Sequence, residues 1–161
     1  LLDPRVRAAL ETHAVSYEEF ACDPELADTA VFCERYGFSL DDSANTILVA
    51  TKKVDPTRYA VCVVLGTTKL DVNRKVSELL DARRVSFADA QTTVTLTGML
   101  IGGVTAFGID DLPVYIDEAV LARDRIIMGG GNRSSKVLLH PAELLRLPTA
   151  QIVSGLALPR T

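Results

Sequence analysis

The chain has 161 residues, 48% of them hydrophobic and 24% charged, with a formal net charge of −4. That length suits one domain with a buried core, and the balance excludes a disordered chain. The acidic charge excludes a protein that coats nucleic acid through a general basic field, while leaving room for a small basic patch that reads one RNA end. No apolar run reaches the length of a membrane span; the longest, Ile47–Ala50 and Tyr59–Leu65, are strand-sized. No basic start followed by an apolar core marks a leader, so the cytoplasm is the expected location, with no membrane partner. Cys22, Cys33 and Cys62 form no CxxC pair and read as free thiols.

The predicted elements run as follows. Pro4 to Ala14 is an opening helix with Asp3 as N-cap, and Val15–Phe20 alternates as a short strand. Asp23-Pro24 repeats the start signal for a helix reaching Tyr36, where Gly37 stops it. Asn45–Lys53 and Arg58–Leu65 are β-branched runs joined across Asp55-Pro56, which predicts a hairpin. Asp71 caps a helix through Leu80. Arg84–Phe87 is a strand and Asp89–Leu96 a helix. Leu112–Ile116, Arg125–Met128 and Lys136–Leu139 are strands, and Pro141–Leu147 a final helix. Intermixed strands and helices predict an α/β fold, a mixed, mostly antiparallel and barrel-like sheet surrounded by helices, in a single domain over residues 1–161.

Chemistry concentrates in the glycines. Gly102-Gly103 either turns backbone N–H groups toward a carbonyl, carboxylate or oxyanion, or is a tight turn that needs glycine. Gly129-Gly130-Gly131 follows a strand, and its cost in chain entropy suggests a loop lying against a ligand, with Arg133 available to a phosphate or carboxylate; a flexible hairpin with a solvated Arg is the alternative. Neither matches GxGxxG or a P-loop, so no dinucleotide or other cofactor is indicated. Asn45 opens a strand and can aim an amide into a cleft, with Lys52 and Lys53 at the far end; all three also read as ordinary strand-end polar residues. His13 and His140 are too far apart in sequence for a zinc pair, and no metal is expected. His13 reads as a surface or capping residue, His140 as a turn residue and Cys62 as core. Cys22 is the one thiol with a cleft-like setting. Asp117 and Glu118 read first as a helix cap. No GxSxG elbow is present.

Taken together, the chain resembles the YbaK/ProX family of aminoacyl-tRNA editing domains, which also occur within bacterial prolyl-tRNA synthetases. The resemblance rests on Thr97-Gly98, Gly102-Gly103-Val104-Thr105 with Phe107-Gly108, Leu112-Pro113 leading to Asp117, Gly129-Gly130-Gly131 with Arg133, and Leu70-Asp71. It implies a freestanding deacylase that hydrolyses the ester of a mischarged tRNA, commonly tRNA-Pro, using main-chain groups and the tRNA's ribose hydroxyl around a water. The implied partners are the aminoacyl 3′ end and a prolyl-tRNA synthetase, and DNA is not among them. On this picture Asn45, Gly102 and Gly103 are the catalytic residues: Asn45 orients the ester carbonyl or the terminal adenosine, and main-chain groups near Gly102-Gly103 and Gly129 to Gly131 place the water. Gly102 to Thr105 hold the aminoacyl group, Gly129, Gly130 and Gly131 close the other wall, and Thr46, Val104, Thr105, Arg133 and Asp117 bind substrate. Val31, Ile47, Met99 and Leu100 are conceivable walls. The family pattern has a Lys-Thr pair where this chain has Asn45-Thr46, and a Pro where it has Ala106. Lys52 and Lys53 lie roughly 25 Å along the strand, too far to replace that charge. Loss of the charge leaves a second reading: a silent binder of a tRNA 3′ end, nucleotide or amino acid, with Asn45→Lys as the discriminating change. Hydrolysis of an unrelated small ester or amide is a third.

Overall fold

The computed structural model describes residues 1–160. Helix α1 (Pro4–Thr12) starts where Asp3 accepts a hydrogen bond from the Arg5 N–H at 2.8 Å. It stops short of Ala14, which takes a φ of 54° and turns the chain into β1 (Glu18–Ala21). The single helix expected from Asp23 to Tyr36 is two pieces: a 3-10 turn, Pro24–Leu26, and α2 (Thr29–Tyr36), which Gly37 ends at a φ of 76°. The break falls at Ala27 and Asp28, whose carbonyl and carboxylate are engaged by Lys136 and Arg133.

Strands β2 (Ala44–Thr51) and β3 (Tyr59–Leu65) form the expected hairpin, in register from Ala44 opposite Leu65 to Ala50 opposite Tyr59. After β4 (Thr68–Leu70), Asp71 caps a single π turn over Val72–Val76 that runs into α3 (Ser77–Leu80), in place of one regular helix. Next come β5 (Val85–Phe87) and α4 (Ala90–Thr97), the latter started by Asp89 accepting from the Thr92 N–H at 2.7 Å. Strand β6 (Val114–Asp117), helix α5 (Glu118–Leu121), β7 (Ile126–Gly129) and β8 (Ser135–Leu139) follow. The last predicted helix is a 3-10 segment, Pro141–Arg146, and the chain closes with β9 (Ala150–Val153) and β10 (Ala157–Pro159). Strands β4, β9 and β10 have no counterpart in the sequence reading.

The larger sheet has the order β5-β2-β3-β6-β9, a second has β1-β8-β7, and β10 pairs with β4. Only β3–β6 and β6–β9 are parallel, so the architecture is mixed and mostly antiparallel, with open rather than closed sheets. Central β3 is buried on both faces, which explains its unbroken apolar run. Its Val61, Val63 and Leu65 join a core with α1, and its Ala60, Cys62 and Val64 join another with Val76, Leu80 and Leu156. Among the described residues no helix is long and apolar enough to cross a membrane.

The two main sheets touch at one parallel bridge, Ser43 to Ile127. Strand β5 pairs with β2 only over Val49–Thr51, so residues 44–48 of β2 keep an edge that no strand of this sheet covers. That free edge, facing β7 and β8 across the seam, is where the molecule opens.

Candidate active site

A cleft of about 300 Å³ lies in this seam. Its floor is the start of β2, including Asn45, Thr46 and Ile47. Thr29 and Phe32 of α2 form one side, and Ile101, Gly102 and Val104 descend from the opposite loop. Gly129 and Lys136, paired across β7 and β8, form the back, and Phe87 stands at the mouth.

Asn45 is held in place by the Thr29 hydroxyl, which donates to its Oδ1 at 2.6 Å. The next side chain, Thr46, has its Oγ1 buried without a hydrogen-bond partner. The glycine turns meet each other rather than facing each other across a ligand. A Cβ on Gly129 would sit 2.6 Å from both the Gly103 and Val104 carbonyl oxygens, and one on Gly103 would sit 2.2 Å from the Asn132 carbonyl oxygen. The Gly131 N–H donates to the Gly103 oxygen at 2.7 Å. Glycine is required here because two stretches of backbone lie in contact. Of the predicted glycines, Gly102 and Gly129 reach the cleft; Gly103, Gly130 and Gly131 pack behind it, the last two against Leu2, Asp3 and Val6.

Arg133 is a brace. Its guanidinium donates to the carbonyls of Pro24 at 3.0 Å and Ile101 at 2.7 Å, and to Asp28 Oδ1 at 3.0 Å. It therefore ties the loop above the cleft to the break before α2, and it does not line the cleft. Asp117 lies elsewhere, buried at the end of β6 beside a separate groove with Thr67, Thr68 and Gly155. Burial pushes its carboxyl up, opposed by the N–H groups of Leu156, Ala119 and Glu118. Val104 lines the cleft, while Thr105 is in the core. Among the suggested walls Ile47 is present, Met99 is core, and Val31 and Leu100 are exposed away from the cleft, where Ile101 serves instead. Cys22 is buried outside the cleft, its thiol pushed up by burial and donating to the Arg133 carbonyl at 3.2 Å. His140 accepts from the Ala142 N–H at 3.1 Å, as a turn residue should.

Lys136, which the sequence reading places only at the start of a strand, is the residue it missed. Among the described residues it is the one ionisable side chain lining the cleft. Its position opposite Gly129 gives the stem a lane with no facing side chain. Only 7% of the residue is exposed. Its Nζ donates to the Ala27 carbonyl at 2.7 Å and the Gly102 carbonyl at 3.1 Å, and lies 5.1 Å from the centre of the Phe32 ring. Burial pushes the ammonium below its ordinary pKa, and the nearby Asp28 carboxylate opposes that shift. The available signal was weak: a lysine inside an apolar strand, five residues after a glycine run.

Solved structures share this fold. A crystal structure described as a "putative trans-editing enzyme for prolyl tRNA synthetase" superposes with a TM-score of 0.78 at 24% identity, covering 96% of this chain and 98% of that one. The hypothetical protein APE2540 gives a TM-score of 0.84 at 21% identity, covering 96% of this chain and 99% of that one. A chain solved in work on epitope backbone grafting onto scaffold proteins gives 0.79 at 25% identity, covering 95% and 97%. The model of the aminoacyl-tRNA editing domain matches residues 23–147, a span that holds every residue of the cleft. The chain belongs to the aminoacyl-tRNA editing domain family.

Proposed function

We propose that the chain hydrolyses the ester joining a wrong amino acid to the 3′ end of a tRNA, with mischarged tRNA-Pro the substrate to test first. The observation that carries this reading is the cleft itself. A free strand edge, a fixed amide at Asn45 and one buried ammonium surround a space of about 300 Å³, which is of the size of an aminoacyl group with part of its ribose. Family membership and the likeness to a protein described as a trans-editing enzyme support the same assignment.

Hydrolysis adds water oxygen to the acyl carbon, breaks the bond from that carbon to the ribose oxygen, and returns a proton to the ribose. Among the described residues the lining side chains include no carboxylate, histidine or thiol, and the Lys136 ammonium is held as a donor on two carbonyls. The proton therefore moves through the water and the neighbouring ribose hydroxyl, and the protein's part is orientation and electrostatic stabilisation. Phe87, 57% exposed at the mouth, gives the terminal base a face to stack on. The expected setting is the cytoplasm, beside a prolyl-tRNA synthetase.

The test is deacylation of Cys-, Ala-, Ser- and Thr-charged tRNA-Pro at enzyme excess, with Pro-tRNA-Pro as control. Selective cleavage of one species establishes the editing role and names the amino acid. One observation favours a second reading, a silent binder of the tRNA end: Asn45 already spends its carbonyl oxygen on Thr29. Retained tRNA binding with no cleavage of any species selects that reading.

A further inference from the structure

We infer that Lys136 supplies the cleft's charged contact to the ligand, its third ammonium N–H being held for the acyl carbonyl oxygen of the bound aminoacyl group. This deepens the proposed function and rests on it for the identity of the ligand. An ammonium has three N–H donors. Two are fixed on the Ala27 and Gly102 carbonyls at 2.7 and 3.1 Å. Gly102 lines the cleft and Ala27 directly precedes α2, whose Thr29 and Phe32 form the opposite side, so the ammonium sits where these two sides meet and its remaining donor is the one left for a ligand.

The surroundings are built to hold that charge. The face of β8 that carries Lys136 is covered by Ala27, Phe32 and the Gly102 turn, which close over the ammonium. Gly129, its cross-strand partner, puts no side chain beside the stem, and the main chain of Gly103 and Val104 occupies that place. The close packing of Gly129 under Gly103 and Val104 fixes the turn whose Gly102 oxygen receives the ammonium. A buried cation with only neutral acceptors keeps an unsatisfied preference for negative charge. An ester carbonyl that becomes an oxyanion during attack satisfies it more fully in the transition state than in the ground state. The charged groups facing Nζ are Arg133 and Asp28, which pair with each other, and the Cys22 and Cys33 thiols, which burial holds in the neutral form.

A further consequence is orientation. The α-ammonium of an aminoacyl group is repelled by Lys136 and turns to the side of Thr29, whose hydroxyl donates to Asn45 and keeps its own lone pairs to accept.

The experiment follows the Lys136 side chain in the intact protein by NMR with ¹³Cε-labelled lysine, its resonance assigned by Lys136→Met. The probes are 3′-alanylamino-3′-deoxyadenosine, which has an acyl carbonyl and cannot be hydrolysed, and 3′-amino-3′-deoxyadenosine, which lacks the acyl group. The acylated probe is expected to shift the Lys136 resonance and raise its titration midpoint; the probe without the acyl group is expected to leave both unchanged. Lys136→Met is expected to weaken the acylated probe about 10–100-fold, the range for a hydrogen bond to a charged group. Equal shifts from both probes, or no shift at saturation, overturn the assignment even where the Met variant is unstable. The two readings separate cleanly. Cleavage of mischarged tRNA with an unmoved Lys136 removes this inference alone. An acyl-dependent shift without cleavage removes hydrolysis and leaves Lys136 as the ligand contact.

Discussion

The substitution Gly129→Ala tests whether the glycines serve backbone contact. Gly129 is a strand residue with an ordinary φ, so alanine is sterically acceptable to its own backbone, and the added methyl has only its neighbours to offend. Those neighbours are the Gly103 and Val104 carbonyl oxygens, both 2.6 Å from the new Cβ, and the Gly103 carbonyl carbon at 2.8 Å. All three are main-chain atoms, so the turn must move as a unit, which places the cost in the range of about 1–3 kcal/mol for overpacking. The movement also loosens the Gly131 N–H bond to Gly103 at 2.7 Å and the Lys136 bond to Gly102 at 3.1 Å, the latter a charged bond of about 1.5–3 kcal/mol if lost outright. Reduced freedom of the unfolded chain returns about 0.4–1 kcal/mol. The net expectation is a loss of about 2–4 kcal/mol, a fall of roughly 5–15 °C in melting temperature for a domain of this size. Gly155→Ala is the control: its φ of 70° strains alanine, but nothing lies within 4 Å of the new Cβ, so about 1 kcal/mol is expected. Thermal melts with urea titrations measure both. A Gly129→Ala protein that melts within about a degree of the parent would refute the argument that two backbones are in contact here.

Three further outcomes are expected. Burial raises the Cys62 thiol from 9.0 to about 12, so the folded chain keeps a proton that the unfolded chain releases. This contribution to stability is intact below pH 9 and is lost by about 1.4 kcal/mol per pH unit up to about pH 12; urea midpoints across that range should show the slope, and Cys62→Ala should flatten it. Lys136 acts in the opposite sense, its lowered folded pKa adding stability as pH rises toward 10.5. Arg133→Lys keeps the charge but loses the fork onto Pro24 and Ile101. It should cost about 1–2 kcal/mol and speed proteolysis near residues 100–104, whereas Asp28→Asn, removing an exposed ion pair, should cost under about 1 kcal/mol. Phe87→Ala should leave the melting temperature almost unchanged, since the side chain is mostly exposed, yet weaken binding of a tRNA 3′ end about 5–100-fold, the range for one base stack; equal affinity of the two proteins in a filter-binding titration counts against the stacking role.

What the sequence made legible was local. The caps at Asp3, Asp23, Asp71 and Asp89 all accept the backbone hydrogen bonds that their residue type suggests, and the β2–β3 hairpin follows from its two β-branched runs. The failures are tertiary. The helix expected after Asp23 breaks at Ala27 because that carbonyl serves Lys136, from a strand more than a hundred residues away. Strands β4, β9 and β10 are three or four residues each, and they form by pairing with β10, β6 and β4 rather than from any pattern of their own. In the site, Asn45 and the two glycine turns could be read as candidates because amides and glycines carry local meaning. Lys136 could not, since a strand lysine is ordinarily solvated and only the Ala27 and Gly102 main chain and the Phe32 ring, brought over it from distant segments, make this one buried.

The cleft owes its existence to incomplete pairing. Strand β5 could extend along β2 toward Ala44, and in doing so would cover the edge that now faces Lys136; it stops at Val49 because the chain turns at Ala88, whose N–H donates to the Leu48 oxygen at 2.9 Å. The amide of Asn45 belongs to one sheet and the ammonium of Lys136 to the other, and the Ser43–Ile127 bridge is the strand contact that sets their separation. A cation placed on β2 itself, as in Asn45→Lys, would lose the Thr29 bond and face the Lys136 ammonium within the same cleft. The substitution that looks like a repair from sequence alone therefore adds a second like charge to a space that already holds one. The distribution of polarity across the seam, neutral on β2 and positive on β8, is the property that a change on either side must preserve.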